Sequence, residues 1–302
     1  MPATRLRNEF WRRSLQQVYE RGGALEIAVS AVAHDAALQP QVTADHGDTE
    51  ESPGGGNLIW RVRILSLTDH EIVVEAPATL GEHVPIARNI DLIAVLAIGQ
   101  NRWMFSTQVI ETTMFPMTPM RTVAALRLRM PENVERCQRR SFYRVSTMQL
   151  RMPKVDCWPL LDLNSATLAE KASELRFLNG QNRPAEASGP FSLPEVGPKF
   201  EGTLINVGGG GIGLLLEADS AKALARHRLF WLSIDLTPSL EGPIAVAAKL
   251  VHTHIDSTQR TYAGLAFEFS HHKEHQKFVV SQFCKYVTMQ QQAQMTQLRE
   301  AS

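Results

Sequence analysis

The sequence predicts a mainly β protein, built as two small antiparallel β-barrel domains with a C-terminal helix. Three observations predict it. Short apolar runs bounded by turn residues recur from Leu58 to Phe269, the pattern of barrels and sandwiches. The 302 residues exceed the usual span of one domain and can bury two cores. The tail from His271 to Glu300 holds neither Gly nor Pro and reads as one helix.

The elements follow in order. Arg5 to Arg21 sets Leu6, Phe10, Leu15, Val18 and Tyr19 among charged residues, a loose helical spacing that stops at Gly22-Gly23. Ala24 to Val32 reads as a short strand. Residues 34–57 are polar and acidic, with Pro40, Pro53 and Gly54-Gly55-Gly56, and are expected to form a flexible insertion. Strands are expected at Leu58 to Leu67, Glu71 to Ala76, Leu92 to Ile98, Arg102 to Thr113 and Thr122 to Arg129, with turns at Thr68-Asp69-His70, Gly81 and Gly99-Gln100-Asn101. Met130-Pro131-Glu132 breaks the run, so the first domain is placed at 1–134, an arginine-rich linker at 135–145 and the second barrel at 146–302.

In that second half Tyr143 to Met152 reads as a strand. Residues 153–198, rich in Pro, Asn, Ser and Gly, read as an irregular insertion with a short helix near Leu168 to Leu178. Strands return at Phe200 to Val207, Ile212 to Leu216, Leu229 to Leu236, Ile244 to Asp256 and Thr261 to Phe269. The closing helix carries Phe278, Gln282, Lys285 and Val287, and its Gln-rich last turns are expected to be solvated.

Composition narrows the function classes. Acidic and basic residues balance at 31 each, so no long-range field draws the molecule toward a nucleic acid polymer or anionic lipid. No apolar run reaches the roughly 18 to 20 residues that cross a bilayer. The N-terminus has Arg5, Arg7, Arg12 and Arg13 but no apolar stretch after them, unlike a signal peptide. Cys137, Cys157 and Cys284 are scattered, as in a reducing compartment. A cytoplasmic protein without membrane insertion is expected.

Two segments carry chemistry. In Gln138-Arg139-Arg140-Ser141-Phe142-Tyr143-Arg144-Val145, Arg139, Arg140 and Arg144 offer planar forks of donors that stay charged and match phosphates in bidentate fashion. A solvated basic hinge pairing with Glu132 and Glu135 fits the same spacing. The second segment, Leu204-Ile205-Asn206-Val207 followed by Gly208 to Gly211, lets backbone approach a ligand, because no Cβ intervenes and positive φ is available. A tight turn or bulge without ligand has the same pattern. Gly208, Gly210 and Gly213 also satisfy GxGxxG, with Asp235 at the distance of a ribose carboxylate. That dinucleotide reading needs a helix to begin within the glycines and run through Ala218, Ala221 and Leu224, and the chain lacks a series of βαβ units.

Other candidates carry less. His252 and His254 share a strand face, and His271, His272 and His275 gather at the start of the last helix, but no Cys or carboxylate stands at ligand spacing from them, and no metal is expected. There is no GxSxG, and nothing supplies a general base beside Cys137, so neither a catalytic residue nor a cofactor is expected. Trp11, Trp60, Trp103, Trp158 and Trp231 are too widely spaced for a base-stacking platform and read as core.

The arginine segment resembles the RxxxR signature of PilZ domains, with Arg140 and Arg144 as the motif arginines and Arg139 just before them. Asn206 to Gly211 resembles the second signature, [D/N]xSxxG, and Tyr262-Ala263-Gly264-Leu265-Ala266-Phe267 resembles the late barrel strand. With a β-rich domain running through Arg127-Leu128-Arg129-Met130-Pro131 into the linker, the chain is similar to the two-domain YcgR-like, or flagellar brake, family. The resemblance implies a receptor for cyclic di-GMP held by Arg139, Arg140, Arg144, Asn206, Gly208, Gly209 and Gly211. It also implies that the domains reorient and change contact with a partner such as flagellar motor components, while Arg139 resembles members that take an intercalated ligand pair. Gly208 stands where the family has Ser, and one missing hydrogen bond costs about 0.5 to 1.5 kcal/mol net. Two other readings remain: a PilZ-like scaffold that binds no nucleotide, and a nucleotide-cofactor enzyme resting on GxGxxG.

Overall fold

Residues 2–30, 57–98, 101–138, 152–180, 193–208, 210–237, 239–255 and 260–300 are described by a computed structural model. The chain opens with helix α1 (Pro2–Glu20), which buries Trp11 and Leu15 and sets the Trp11 ring 5.4 Å from that of Phe105. Gly22, at φ +65°, ends it, with Gly22 N–H donating to Tyr19 O and Gly23 N–H to Val18 O.

The first half then forms β1 (Ala24–Val29), β2 (Ile59–Leu67), β3 (Glu71–Glu75), the small hairpin β4 (Ala78–Thr79) and β5 (Glu82–His83), β6 (Asp91–Ile98), β7 (Asn101–Thr118), β8 (Arg121–Arg129) and β9 (Glu135–Gln138). Antiparallel pairing runs β2–β1–β6–β7–β8–β3 and back to β2, a closed six-stranded barrel without free edges. Period-two alternation drives it: Trp60, Val62 and Ile64 turn inward while Arg61 is exposed and Arg63 half-buried. β7 runs past Thr113 to Thr118 because bulges near Val109 and Pro116 absorb a residue that cannot donate to the ladder. β9 pairs with β7, so the first residues of the expected linker are a strand on this barrel.

The second half contains β10 (Lys154–Pro159), α2 (Leu163–Gly180), β11 (Phe200–Val207), β12 (Gly211–Leu216), α3 (Ala218–Arg226), β13 (Leu229–Ile234), β14 (Ile244–Ile255), β15 (Thr261–Phe267) and α4 (Lys273–Glu300). Pairing runs β10–β11–β12–β15–β14–β13 and back to β10, a second closed barrel. Two expectations need correction. Residues 154–159 are not irregular: Val155 and Cys157 alternate inward, and β10 closes the ring between β11 and β13. The stretch read as a strand at 143–152 lies outside the described residues up to 151, as do 34–56 of the first expected insertion.

The second correction concerns α4, whose Gln-rich turns are solvated on one face only: Gln292, Met295 and Thr296 are exposed, but Gln291 and Gln294 are buried. Gln291 and Gln294 are 6% and 4% exposed, and their amides satisfy backbone of the first barrel. Gln291 accepts from Ala87 N–H at 2.8 Å and donates to Pro85 O at 2.9 Å; Gln294 accepts from Asp91 N–H at 2.8 Å and donates to Asp91 O at 3.0 Å and Ser30 O at 3.3 Å. One apolar core runs unbroken from Ile27, Trp60 and Leu92 through Val279, Phe283, Tyr286 and Val287 of α4 to Phe230, Val246 and Phe267. Each such large side chain, fully buried, contributes about 1.5 to 3 kcal/mol. Trp11, Trp60, Trp103 and Trp231 are core as expected, while Trp158 is half-buried beneath Lys199.

Candidate functional site

β11 and β12 are neighbours in an antiparallel hairpin whose turn is the glycine segment. Gly208 N–H donates to Gly211 O at 2.8 Å, and Phe267 N–H donates to Gly210 O at 3.0 Å, which ties the turn to the end of β15. Register then lines up four residues across four strands on the outer face: Asn206 of β11 opposite Gly213 of β12, Gly213 opposite Gly264 of β15, and Gly264 opposite His252 of β14.

The glycines are required by close approach. A Cβ on Gly211 would lie 1.9 Å from Leu265 O, and one on Gly213 would lie 2.6 Å from both Asn206 Oδ1 and the Tyr262 hydroxyl. A Cβ on Gly264 would strike the His252 ring at 2.3 Å. Positive φ, the other reason considered for the run, is not used at Gly208, Gly210, Gly211 or Gly213. The glycines thus let the Asn206 amide, the Tyr262 hydroxyl and the His252 ring lie flat against the sheet. Tyr262 stacks on His254 at 4.6 Å between centroids and on His252 at 5.7 Å. Gly213 and Gly264 are themselves buried beneath these side chains, so the face presents an amide, a phenol hydroxyl and stacked flat rings, which suit a ligand that combines hydrogen-bonding edges with planar faces.

Of the residues expected at the site, Asn206, Gly208 and Gly211 lie together at this turn. Arg139, Arg140, Arg144 and Gly209 lie outside the described residues. The described chain stops at Gln138, paired with Asn101, and resumes at Met152, beside Pro153, whose carbonyl accepts from Leu204 N–H at 2.9 Å. It thus re-enters two residues from Asn206 on the same strand. Sequence reasoning left His252, Tyr262 and Gly264 out of the site. The available signals were the period-two spacing of the histidines and a glycine inside a β-rich run.

The dinucleotide reading fails on geometry. The glycines of GxGxxG are followed by strand β12, antiparallel to β11, where that fold needs a helix N-terminus to face the pyrophosphate, and Asp235 instead accepts from Thr237 N–H and its hydroxyl in a local turn. Burial also pushes the Cys157 and Cys284 thiols up, away from reactive thiolates.

Fold and site together define a protein of two closed antiparallel barrels, joined by a long helix and carrying a glycine-floored face on the second barrel. Residues 175–285 match the family model described as PilZ domain. The match includes Asn206, Gly213, His252 and Gly264 and begins after the arginine segment. Among solved structures, the chain is similar to the Bacillus subtilis inhibitor of motility MotI/DgrA, at 13% identity over 87% of this chain and 94% of that one, TM-score 0.29. It is similar to Escherichia coli YcgR in complex with c-di-GMP, at 14% identity over 94% and 92%, TM-score 0.27. It is also similar to the K. pneumonia MrkH–c-di-GMP complex, at 11% identity over 88% of each chain, TM-score 0.26. No curated protein matches the chain by sequence.

Proposed function

We propose that this protein is a non-enzymatic, cytoplasmic receptor for cyclic di-GMP. The carrying observation is the row Asn206–Gly213–Gly264–His252, which sets an amide and aromatic rings side by side next to the glycine turn of a PilZ-domain barrel. In this reading Arg139, Arg140 and Arg144 clasp phosphates and a guanine, Asn206 and Gly208 to Gly211 complete the pocket, and Tyr262 with its histidines supplies stacking surface. The working division is 1–134, linker 135–145 and 146–302, and the output is a change in domain orientation that alters contact with a protein partner, flagellar motor components by family analogy. Among the described residues no helix is long and apolar enough to cross a membrane.

Calorimetric titration of the full chain with cyclic di-GMP tests this. Saturable heat is expected, absent in Arg140→Ala and weakened in Asn206→Ala. No heat from the intact protein favours the second reading, a scaffold that keeps the barrel without the nucleotide, for which the missing Gly208 hydroxyl is the supporting observation.

A further inference from the structure

α2 lies outside the ring of barrel strands and packs on β14 and the start of α4, covering Ala245 and Ala247 with Ala166 and Ala169. Glu170 and Glu174 are one helical turn apart on α2 and so share a face. Opposite them stand His272, just before α4, and His275 in its first turn, held by the bond from His275 N–H to His272 O. His272 Nδ1 lies 3.1 Å from Glu170 Oε2, and His275 Nδ1 lies 2.6 Å from Glu174 Oε1. The two imidazoles stack at 5.5 Å. Glu170 is 3% exposed and His275 fully buried.

The hydrogen bonds fix the chemistry. His275 Nε2 sits 2.8 Å from Ala245 O, and a carbonyl only accepts, so Nε2 carries the proton. In the neutral ring the buried Nδ1 then presents a lone pair to the partly exposed Glu174 carboxylate, acceptor against acceptor. Such a pairing calls for a proton or a metal ion between the groups. A histidine that donates its far N–H to a backbone carbonyl while aiming the other nitrogen at carboxylates has the outer arrangement of a metal-bound imidazole.

We propose that Glu170, Glu174, His272 and His275 form a structural divalent-metal site that clamps α2 to α4 and β14. Ligand atoms of Glu170, His272 and His275 already lie within 4.8 Å of one another, and small side-chain rotations bring them to the roughly 2.0 to 2.2 Å bonds of a tetrahedral zinc ion. Two imidazoles and two carboxylates suit zinc(II). Sequence reading saw the histidines and lacked the acids, because Glu170 and Glu174 lie about a hundred residues away and only the packing of α2 brings them in.

The test uses the full chain stripped of metal with a chelator. Titration with cobalt(II) is expected to give the intense visible bands of a tetrahedral site, saturating at one equivalent, and zinc(II) is expected to displace it. His272→Asn and Glu174→Gln, at the less buried edge, are expected to weaken zinc binding at least tenfold while far-ultraviolet circular dichroism stays native. The proposal is overturned if the intact chain takes up no zinc(II) or cobalt(II), or if one equivalent binds with unchanged affinity in both variants. Cyclic di-GMP plays no part in these readouts, so they stand or fall apart from the receptor reading.

Discussion

At the scale of single residues, the glycines of the second barrel divide by what a methyl group would meet. At Gly211 it would press into the Leu265 carbonyl, a backbone atom that cannot turn aside, so Gly211→Ala is expected to push β12 from β15 and cost about 1 to 3 kcal/mol in chemical denaturation. At Gly208 the nearest atom to a Cβ is Gly211 O at 3.8 Å, so Gly208→Ser should leave the denaturation midpoint nearly unchanged. If the receptor reading holds, the new hydroxyl should tighten cyclic di-GMP by roughly three- to tenfold in calorimetry, the equivalent of one added hydrogen bond. Equal destabilisation by both changes would remove the steric account. Asn206 and the glycine run were legible in the sequence because they are contiguous. His252, Tyr262 and Gly264 were not, because their place in the row depends on β14 and β15 pairing beside β12, with a bulge between Leu250 and His252 that no local pattern specifies.

At the scale of elements, strands with clean alternation and turn residues at both ends could be read within a few residues, as β11 was from Phe200 to Val207. β10 escaped notice because Pro153 and Pro159 bracket it and six residues give alternation little room. α4 was found but its wet face was misjudged. A glutamine amide carries the same donor and acceptor as a peptide group, and Gln291 and Gln294 use both against chain segments of the first barrel. Polar character on a helix therefore did not mean solvent, and only tertiary packing reveals that. Gln294→Ala removes the partner of Asp91 N–H, Asp91 O and Ser30 O at a 4% exposed position, and is expected to cost about 1 to 3 kcal/mol. Gln294→Glu, the same size but unable to donate, should lose a comparable amount. A surface substitution such as Gln292→Ala, at an exposed position of the same helix, should leave the midpoint in place.

At the scale of the whole molecule, the two barrels are held in one arrangement by contacts that include the parallel pairing of Val207 with Trp60, the apolar core through Phe283, Tyr286 and Val287, and the amides of Gln276, Gln291 and Gln294 of α4. A receptor that reorients its domains must weaken part of this set, and the amides are the part most easily exchanged for water. Whatever free energy favours the ligand-free arrangement subtracts from apparent affinity, because only the fraction in the competent arrangement binds. Removing contacts made only in that arrangement should therefore strengthen binding even though the substituted residues never touch the ligand. The Gln291→Ala/Gln294→Ala double variant is expected to bind cyclic di-GMP roughly tenfold more tightly, about 1.4 kcal/mol shared between two amides. Its small-angle scattering curve without ligand should move toward that of the liganded wild type. Unchanged affinity, together with wild-type scattering that does not respond to ligand, would mean that the barrels keep their placement and that the signal leaves the protein through the ligand-binding face itself.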